Sequence, residues 1–300
     1  MLPILIIAYL RPGELRSCLK RFENKEQTFY IFVDYEPIEQ RRLNQEVIDC
    51  ALEFSHRENV HLQISKSNLG VEKAVPAAIN WIAQTEAEFI VLEDDCQLNL
   101  EGLRFLNQYA FLLKEKVSLL CATSPWDFES KADRDIPLSL SSYPLISGWA
   151  TSATNWKGLS TYIARRPPYG DVFREIAKHP RKAKAISFFL ASQVRVYRGR
   201  VKAWDCSVAL WMLLNSKKSL IPDITMVTNT GRDHVAAHTL PEGDENTIFR
   251  QETQGTPSST LDLSEQMSKG TDRQIEALLY KMKTKHILSA PKALMEGLKQ

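Results

Sequence analysis

The first 125 residues alternate between short β-rich runs and stretches with helical spacing, and this constrains the fold more than any other feature. Pro3–Ala8 is a short apolar run, and Glu14–Phe22 follows with Leu15, Cys18, Leu19 and Phe22 at helical spacing. Phe29–Val33 reads as a strand ending at Asp34, and Ile38–Phe54 as a helix with Leu43, Val47, Ile48, Ala51 and Leu52 on one side. Asn59–Ser65 is the next strand, Asn68-Leu69-Gly70 a turn, and Val71–Thr85 a helix in which Pro76 is tolerated only near the first turn or at a kink. Phe89–Leu92, Glu101–Leu113 and Ser118–Ala122 continue as strand, helix and strand. Repeated βα units of this length predict a parallel sheet covered by helices on both faces, with ligands bound beyond the carboxyl ends of the strands.

The second half is less regular. Residues 126–148 read as a polar loop, 149–163 carry two tryptophans, and Ser207–Asn215 reads as a helix. From Gln251 to Thr271 the composition turns to Ser, Thr and Gly, as in a linker or extended arm. Residues 272–299 have the period of an amphipathic helix, with Ile275, Leu278, Leu279 and Met282 on one side. The expected organisation is therefore a βα half over 1–125, an acceptor-binding and catalytic half of the same domain over 126–250, and a linker with a helical tail over 251–300.

Apolar residues at 44% and charged residues at 25% exclude a dominantly disordered chain. A formal charge of +2 argues against a polyanion-binding protein, and no basic-aromatic nucleic-acid module is present. That total hides a local excess, since 164–202 holds eleven Lys and Arg against Asp171 and Glu175. Solvated helix faces, an anionic acceptor or an anionic membrane surface each account for such a block. The five cysteines form no CxxC pair and read as reduced thiols in a reducing compartment. The apolar start lacks a basic leader and reads as a first buried strand, and no uninterrupted apolar run reaches the ~20 residues of a spanning helix. The expected location is cytoplasmic, with peripheral contact at the inner membrane face left open.

The chemistry concentrates where strands end. In Phe89-Ile-Val-Leu-Glu93-Asp94-Asp95, a buried strand delivers three adjacent carboxylates. Their mutual repulsion is relieved by a hard divalent cation completed by phosphate oxygens and water, or by solvation as an acidic turn. Asp34 stands at the matching place on the second strand, as a ligand for a base or ribose or as the cap of a βα loop. Arg11, at the first strand's exit, has a guanidinium fork suited to phosphate, or is a turn charge. Trp204-Asp205 precedes a helix, so Asp205 is a general base or a helix cap. His234 and His238 are four residues apart, a weak metal or phosphate pair. No G-x-S-x-G, Walker or GxGxxG motif is present.

Taken in order, these pieces resemble the GT-A-fold, nucleotide-sugar-dependent glycosyltransferases, in particular the metal-dependent N-acetylglucosaminyltransferase I group and related bacterial enzymes. The resemblance runs from about Pro3 to about Thr239. It rests on Ile6-Ile7-Ala8 with Arg11, Val33-Asp34, Lys73, Val91-Leu92-Glu93-Asp94-Asp95, Cys121–Asp127, Ser147-Gly148-Trp149, Trp204-Asp205 and Pro222–Gly231. It implies a Rossmann-like, mostly parallel sheet flanked by helices, with the tail as a helical extension. It also implies an inverting transfer from a nucleotide diphosphate sugar, a UDP-sugar by preference, to a glycan or lipid-linked hydroxyl.

In that scheme Asp95 binds Mn²⁺ or Mg²⁺, joined by His238, and Glu93 and Asp94 hold the ribose and donor sugar. Asp34 faces the uracil, Arg11 the diphosphate, and Lys73 lies on the donor side. Gly148, Trp149 and Trp204 border the sugar and acceptor, Asp205 is the general base, and Asn229–His238 closes over the donor. The sequence departs from the pattern at Ala77, where relatives place a histidine, and at Cys206, where a second Asp is usual. The alternatives are a nucleotidyltransferase and a catalytically inert nucleotide-sugar-binding protein on the same fold. The tail's apolar stripe fits packing on the domain or in a homodimer better than a lipid surface.

Overall fold

The computed structural model of the chain describes residues 1–23, 27–125, 138–165, 182–199, 203–230 and 259–278, with Arg174, Lys178 and Tyr280 singly. Its first half is β1 (Ile4–Ala8), α1 (Pro12–Arg21), β2 (Phe29–Val33), α2 (Arg41–Ser55), β3 (Val60–Ile64), α3 (Val71–Ile82) and β4 (Glu88–Glu93). Then come β5 (Cys96–Leu98), α4 (Leu100–Gln108), a 3₁₀ turn (Ala110–Lys114) and β6 (Leu119–Cys121). The second half adds β7 (Leu138–Ser141), β8 (Trp149–Ser152), α5 (Ala153–Arg165), α6 (Ala183–Tyr197) and α7 (Asp205–Leu214). It closes with β9 (Ser219–Ile221), β10 (Val227–Asn229), β11 (Leu261–Asp262) and α8 (Glu265–Leu278).

Nine strands form one mixed sheet in the order β11-β7-β9-β6-β8-β4-β1-β2-β3. The β3-β2-β1-β4 half is parallel, as the βα repeat predicts. β8 enters between β4 and β6, antiparallel to both, and separates the parallel half from the rest. The period of two along β1 divides the core. Ile4, Ile6 and Ala8 pack with buried residues of α1, α2 and α4 on one face, while Leu5 and Ile7 pack with α3 and four tryptophans on the other. Helices therefore cover both faces, giving the expected three-layer α/β architecture.

Several boundaries differ for physical reasons. The strand expected at Phe89–Leu92 extends to Glu93, because the backbone ladder against β1 runs to Ile7 and then to Asp94, whose N–H donates to the Ile7 carbonyl at 2.9 Å. Pro76 lies beyond the first turn of α3 and is accommodated inside the helix. The stripe of α2 is rotated from the expected one, since Leu52 is half exposed while Asn44 is fully buried. The polar loop expected over 126–148 contains β7, and Trp126–Pro137 fall outside the described residues.

The Ser/Thr-rich stretch holds β11, paired in parallel with β7, and the tail helix starts at Glu265 rather than Asp272. Ile275 is fully buried against Tyr143 and Phe189, so this part of the tail's apolar stripe packs on the domain. Leu279, Met282 and most of the basic block lie outside the described residues. Among the described residues no helix is long and apolar enough to cross a membrane.

Candidate functional site

Where β4 leaves the sheet, Glu93 is its last residue and Asp94 and Asp95 form the turn into β5. Asp94 is buried and held on both oxygens: one accepts the Tyr9 N–H at 3.0 Å, the other an Arg11 guanidinium N–H at 3.0 Å. The same Arg11 nitrogen lies 3.6 Å from Asp95. Arg11 thus faces carboxylates, where the resemblance placed it on a diphosphate. A short antiparallel ribbon, β5 with β10, locks the turn from beyond. Thr230 donates its backbone N–H to the Asp95 carbonyl at 2.9 Å.

Trp204 and Asp205 reach this place from the other half of the chain. The Trp204 side chain hydrogen-bonds the Glu93 carboxylate, and Asp205 lies close enough to raise the Glu93 pKa. Trp204 is buried, whereas Asp205 is exposed at the first residue of α7 and accepts the Cys206 N–H at 2.9 Å. A carboxylate at a helix N-terminus is stabilised as the anion by the free N–H groups and the dipole. The helix-cap reading of Asp205 is corrected: the N-cap is Trp204 and Asp205 is the first helical residue, while its charge acts on Glu93.

Glu93 feels the charges of Asp95, Asp94 and Asp205, while Arg11 pairs with Asp94. Burial first, then Asp95, Asp94 and Asp205, pushes Glu93 up to about 8. Burial likewise raises Asp94 to about 6, although Arg11 pulls it down. The sign of the linkage follows directly. Between about pH 4.5 and 8 the folded state keeps a Glu93 proton that the unfolded chain releases. Stability in EDTA should therefore fall as pH rises through that window, by on the order of a few kcal/mol. Urea melts at pH 5, 6, 7 and 8 check this, and a flat or rising profile would refute it.

The remaining expected residues divide cleanly. Asp34 is buried, and its carboxylate accepts from Leu69 N, Gly70 N and Ser65 Oγ, each at 2.9 Å, so it pins the β3–α3 turn. Gly70, at φ +70°, takes a conformation open to glycine there. Lys73 is exposed on the first turn of α3. Gly148 is buried at φ +69°, and a Cβ there would meet Val227 Cγ2 at 3.3 Å. Trp149, expected beside the sugar, lies on β8. It is 1% exposed and stacks on Trp204 with ring centroids 6.1 Å apart, because β8 is buried on both faces. His238 and the segment from Gly231 lie outside the described residues.

A polar network missed in the sequence stiffens the ends of β1 and β2. Asn44 donates to the carbonyls of Tyr9 at 2.7 Å and Asp34 at 2.8 Å, and accepts from Glu36 N at 2.9 Å. Glu36 accepts the Tyr9 hydroxyl at 2.8 Å and a hydrogen bond from Asn68. Backbone N–H donors at Ile38 and the Tyr9 hydroxyl hold the Glu36 carboxyl below its ordinary range. The signal was present: Asn44 shares a helical stripe with Val47, Ile48 and Ala51, and a buried amide on such a stripe needs partners.

The donors that the triplet offers are all carboxylate oxygens, which suit Mg²⁺ or Mn²⁺. Among the described residues no three His, Cys, Asp or Glu side chains converge as a metal cage. The residues fit a cation held by one or two carboxylates and otherwise by phosphate oxygens and water, with Asp95 the most accessible of the triplet's acids in the turn.

No family model and no curated protein matches the chain. Solved structures share part of its architecture. Residues 1–349 of TarS from S. aureus match at TM-score 0.35 and 15% identity, over 51% of this chain and 48% of that one. HddC from Yersinia pseudotuberculosis matches at 0.33 and 13%, over 51% and 78%. The mannosyltransferase PcManGT from Pyrobaculum calidifontis, in complex with GDP-Man and Mn²⁺, matches at 0.35 and 14%, over 50% and 44%. The matched region spans about half the length of the TarS 1–349 and PcManGT chains, and the likeness is one of fold alone.

Proposed function

We propose that the chain is a glycosyltransferase that moves a sugar from a nucleotide diphosphate donor to an acceptor hydroxyl with inversion. The observation that carries this reading is the hydrogen bond from the Trp204 side chain to Glu93, which brings the neighbouring Asp205 to the side of the Glu93-Asp94-Asp95 turn. It puts an exposed carboxylate next to a cluster suited to a cation and a diphosphate, beyond the strand ends where such sheets bind ligands. The partial likeness to TarS, HddC and PcManGT is compatible with it but adds only architecture.

In this mechanism Asp95 would hold Mn²⁺ or Mg²⁺, which would supply Lewis-acid stabilisation to the leaving diphosphate, and Asp94 and Glu93 complete the acidic turn. Arg11, already among these carboxylates, holds the turn's shape while the donor enters. Asp205 takes the proton of the acceptor hydroxyl. The acceptor oxygen then bonds to the anomeric carbon as the bond to the diphosphate oxygen breaks, its electron pair leaving with the nucleotide. One displacement inverts the anomeric centre. Trp204 fixes Glu93 and, through the backbone, the position of Asp205. The acceptor is a glycan or lipid-linked hydroxyl, and the basic block favours an anionic one. With Asp34 committed to its turn, base preference is read elsewhere, and both uridine and guanosine donors belong in the test.

Calorimetric titration of UDP, GDP and their sugar conjugates, with and without Mn²⁺, tests the donor site. The wild type should bind one base class at least tenfold more tightly with Mn²⁺. Asp95→Ala should lose that enhancement while keeping its thermal midpoint. No binding by the wild type under either condition would overturn the proposal.

A further inference from the structure

Asp205 is the first residue of α7, so its carboxylate goes wherever the rotation of that helix carries it. The N-cap residue Trp204 makes no side-chain cap bond, and the first turn closes with the Ser207 N–H donating to the Trp204 carbonyl at 3.2 Å. The helix is held from the side by α6. Ile186, Phe189 and Leu190 of α6 pack with Ala209, Leu210 and Leu213 of α7, all buried. Towards Asp205 the interface turns polar. Gln193 of α6, 1% exposed, donates its amide N–H to the Ser207 hydroxyl of α7 at 3.2 Å. At the far end Lys182 makes longer contacts, 3.4 Å to the Leu213 carbonyl and 3.5 Å to the Ser216 hydroxyl.

Apolar burial has no direction, so a helix can turn by a fraction of its pitch and keep much of its buried area. A buried hydrogen bond is directional and breaks on such a slip, which leaves two desolvated groups without partners. A polar pair inside an apolar helix interface therefore selects one register, as a buried Asn does in a coiled coil. The rotation selected here turns Cys206 inward and leaves Asp205 exposed, with its charge on Glu93. A carboxylate ~5 Å from a helix axis moves about 2 Å when the helix turns by ~20°. Misplacement by ~1 Å already costs a reaction on the order of 100-fold.

We propose that the Gln193–Ser207 pair is the pin that sets the rotation of α7, and that Gln193 is thereby a positioning residue for Asp205. This rests on the reading of Asp205 as the base of the transfer. It adds to that reading a buried side chain on a different helix, which aims the base from behind.

Gln193→Leu combined with Ser207→Ala tests it, because removing both polar groups leaves neither one orphaned. The thermal midpoint should stay within about 3 °C of wild type. Amide exchange at Ser207 and Val208, followed by NMR without substrates, should quicken at least tenfold. With the preferred nucleotide sugar, kcat should fall at least tenfold while donor affinity by calorimetry stays within about twofold. Should the double variant fail to fold, Gln193→Met carries the same comparison, since its flexible side chain fills the space without the amide. Unchanged exchange in a folded variant overturns the proposal. So does full kcat with quickened exchange, or a loss shared equally between kcat and donor affinity. A wild type that transfers nothing would remove the parent reading and with it the role of Gln193, whereas the exchange still reports whether the pair fixes α7.

Discussion

Asp205→Asn should lower the transfer rate by about 10²–10⁴-fold and leave donor affinity within about twofold of wild type. The amide keeps the size of the carboxylate and can still accept the Cys206 N–H that Asp205 accepts at 2.9 Å, so the start of α7 is preserved. It cannot take a proton from the acceptor. The loss should therefore fall on kcat, equivalent to roughly 3–5 kcal/mol of barrier. Single-turnover assays with the preferred nucleotide sugar, run beside calorimetry, separate the two effects. A loss below tenfold would reduce Asp205 to the carboxylate that opens a helix, and the reaction would need another base.

The largest effect on stability is expected at Trp149. Its side chain is 1% exposed, its strand pairs with β4 on one side and β6 on the other, and its ring backs Trp204. Trp149→Ala should cost about 3–5 kcal/mol, a large share of the 5–15 kcal/mol typical of a domain. Trp149→Phe should recover more than half, because an aromatic ring still fills most of the space. Urea denaturation followed by circular dichroism gives both numbers. The folded fraction of Trp149→Ala should also bind donor more weakly, since Trp204, freed of its support, no longer holds Glu93. A loss under about 1 kcal/mol would mean that β8 is not the packed centre of the sheet.

The parallel half was legible because its signals are local. β1, β2 and β4 are short and mostly apolar, β3 alternates as an edge strand, and each helix between them carries its own stripe. Glu93, Asp94 and Asp95 were visible for the same reason, as acids directly after a buried run. What the sequence hid depends on long-range pairing. β5 and β10 are too short to announce themselves, and each exists because the other supplies its ladder. Leu52 and Asn44 show the limit of a stripe read by hydropathy: the polar residue is buried because two strand ends need its amide, and the apolar one is left outside. Asp34 was placed correctly at a strand exit, but only the neighbouring turn reveals that its oxygens are already taken. Trp149 and Trp204 look alike in sequence, and only the sheet order decides that one supports the other.

The Asp95 carbonyl is held by Thr230, 135 positions further along the chain, and Glu93 by Trp204. This has a consequence during synthesis. A nascent chain that has emerged only as far as β6 holds every strand of the parallel half, yet lacks the partners that fix the acidic turn. Domains acquire structure as they leave the ribosome, and contacts of such separation close late. The acidic turn is therefore fixed as a late event, after β10 is released. A fragment ending near Pro125 should be recovered as a twisted sheet with an exposed β4 edge, inert and prone to associate.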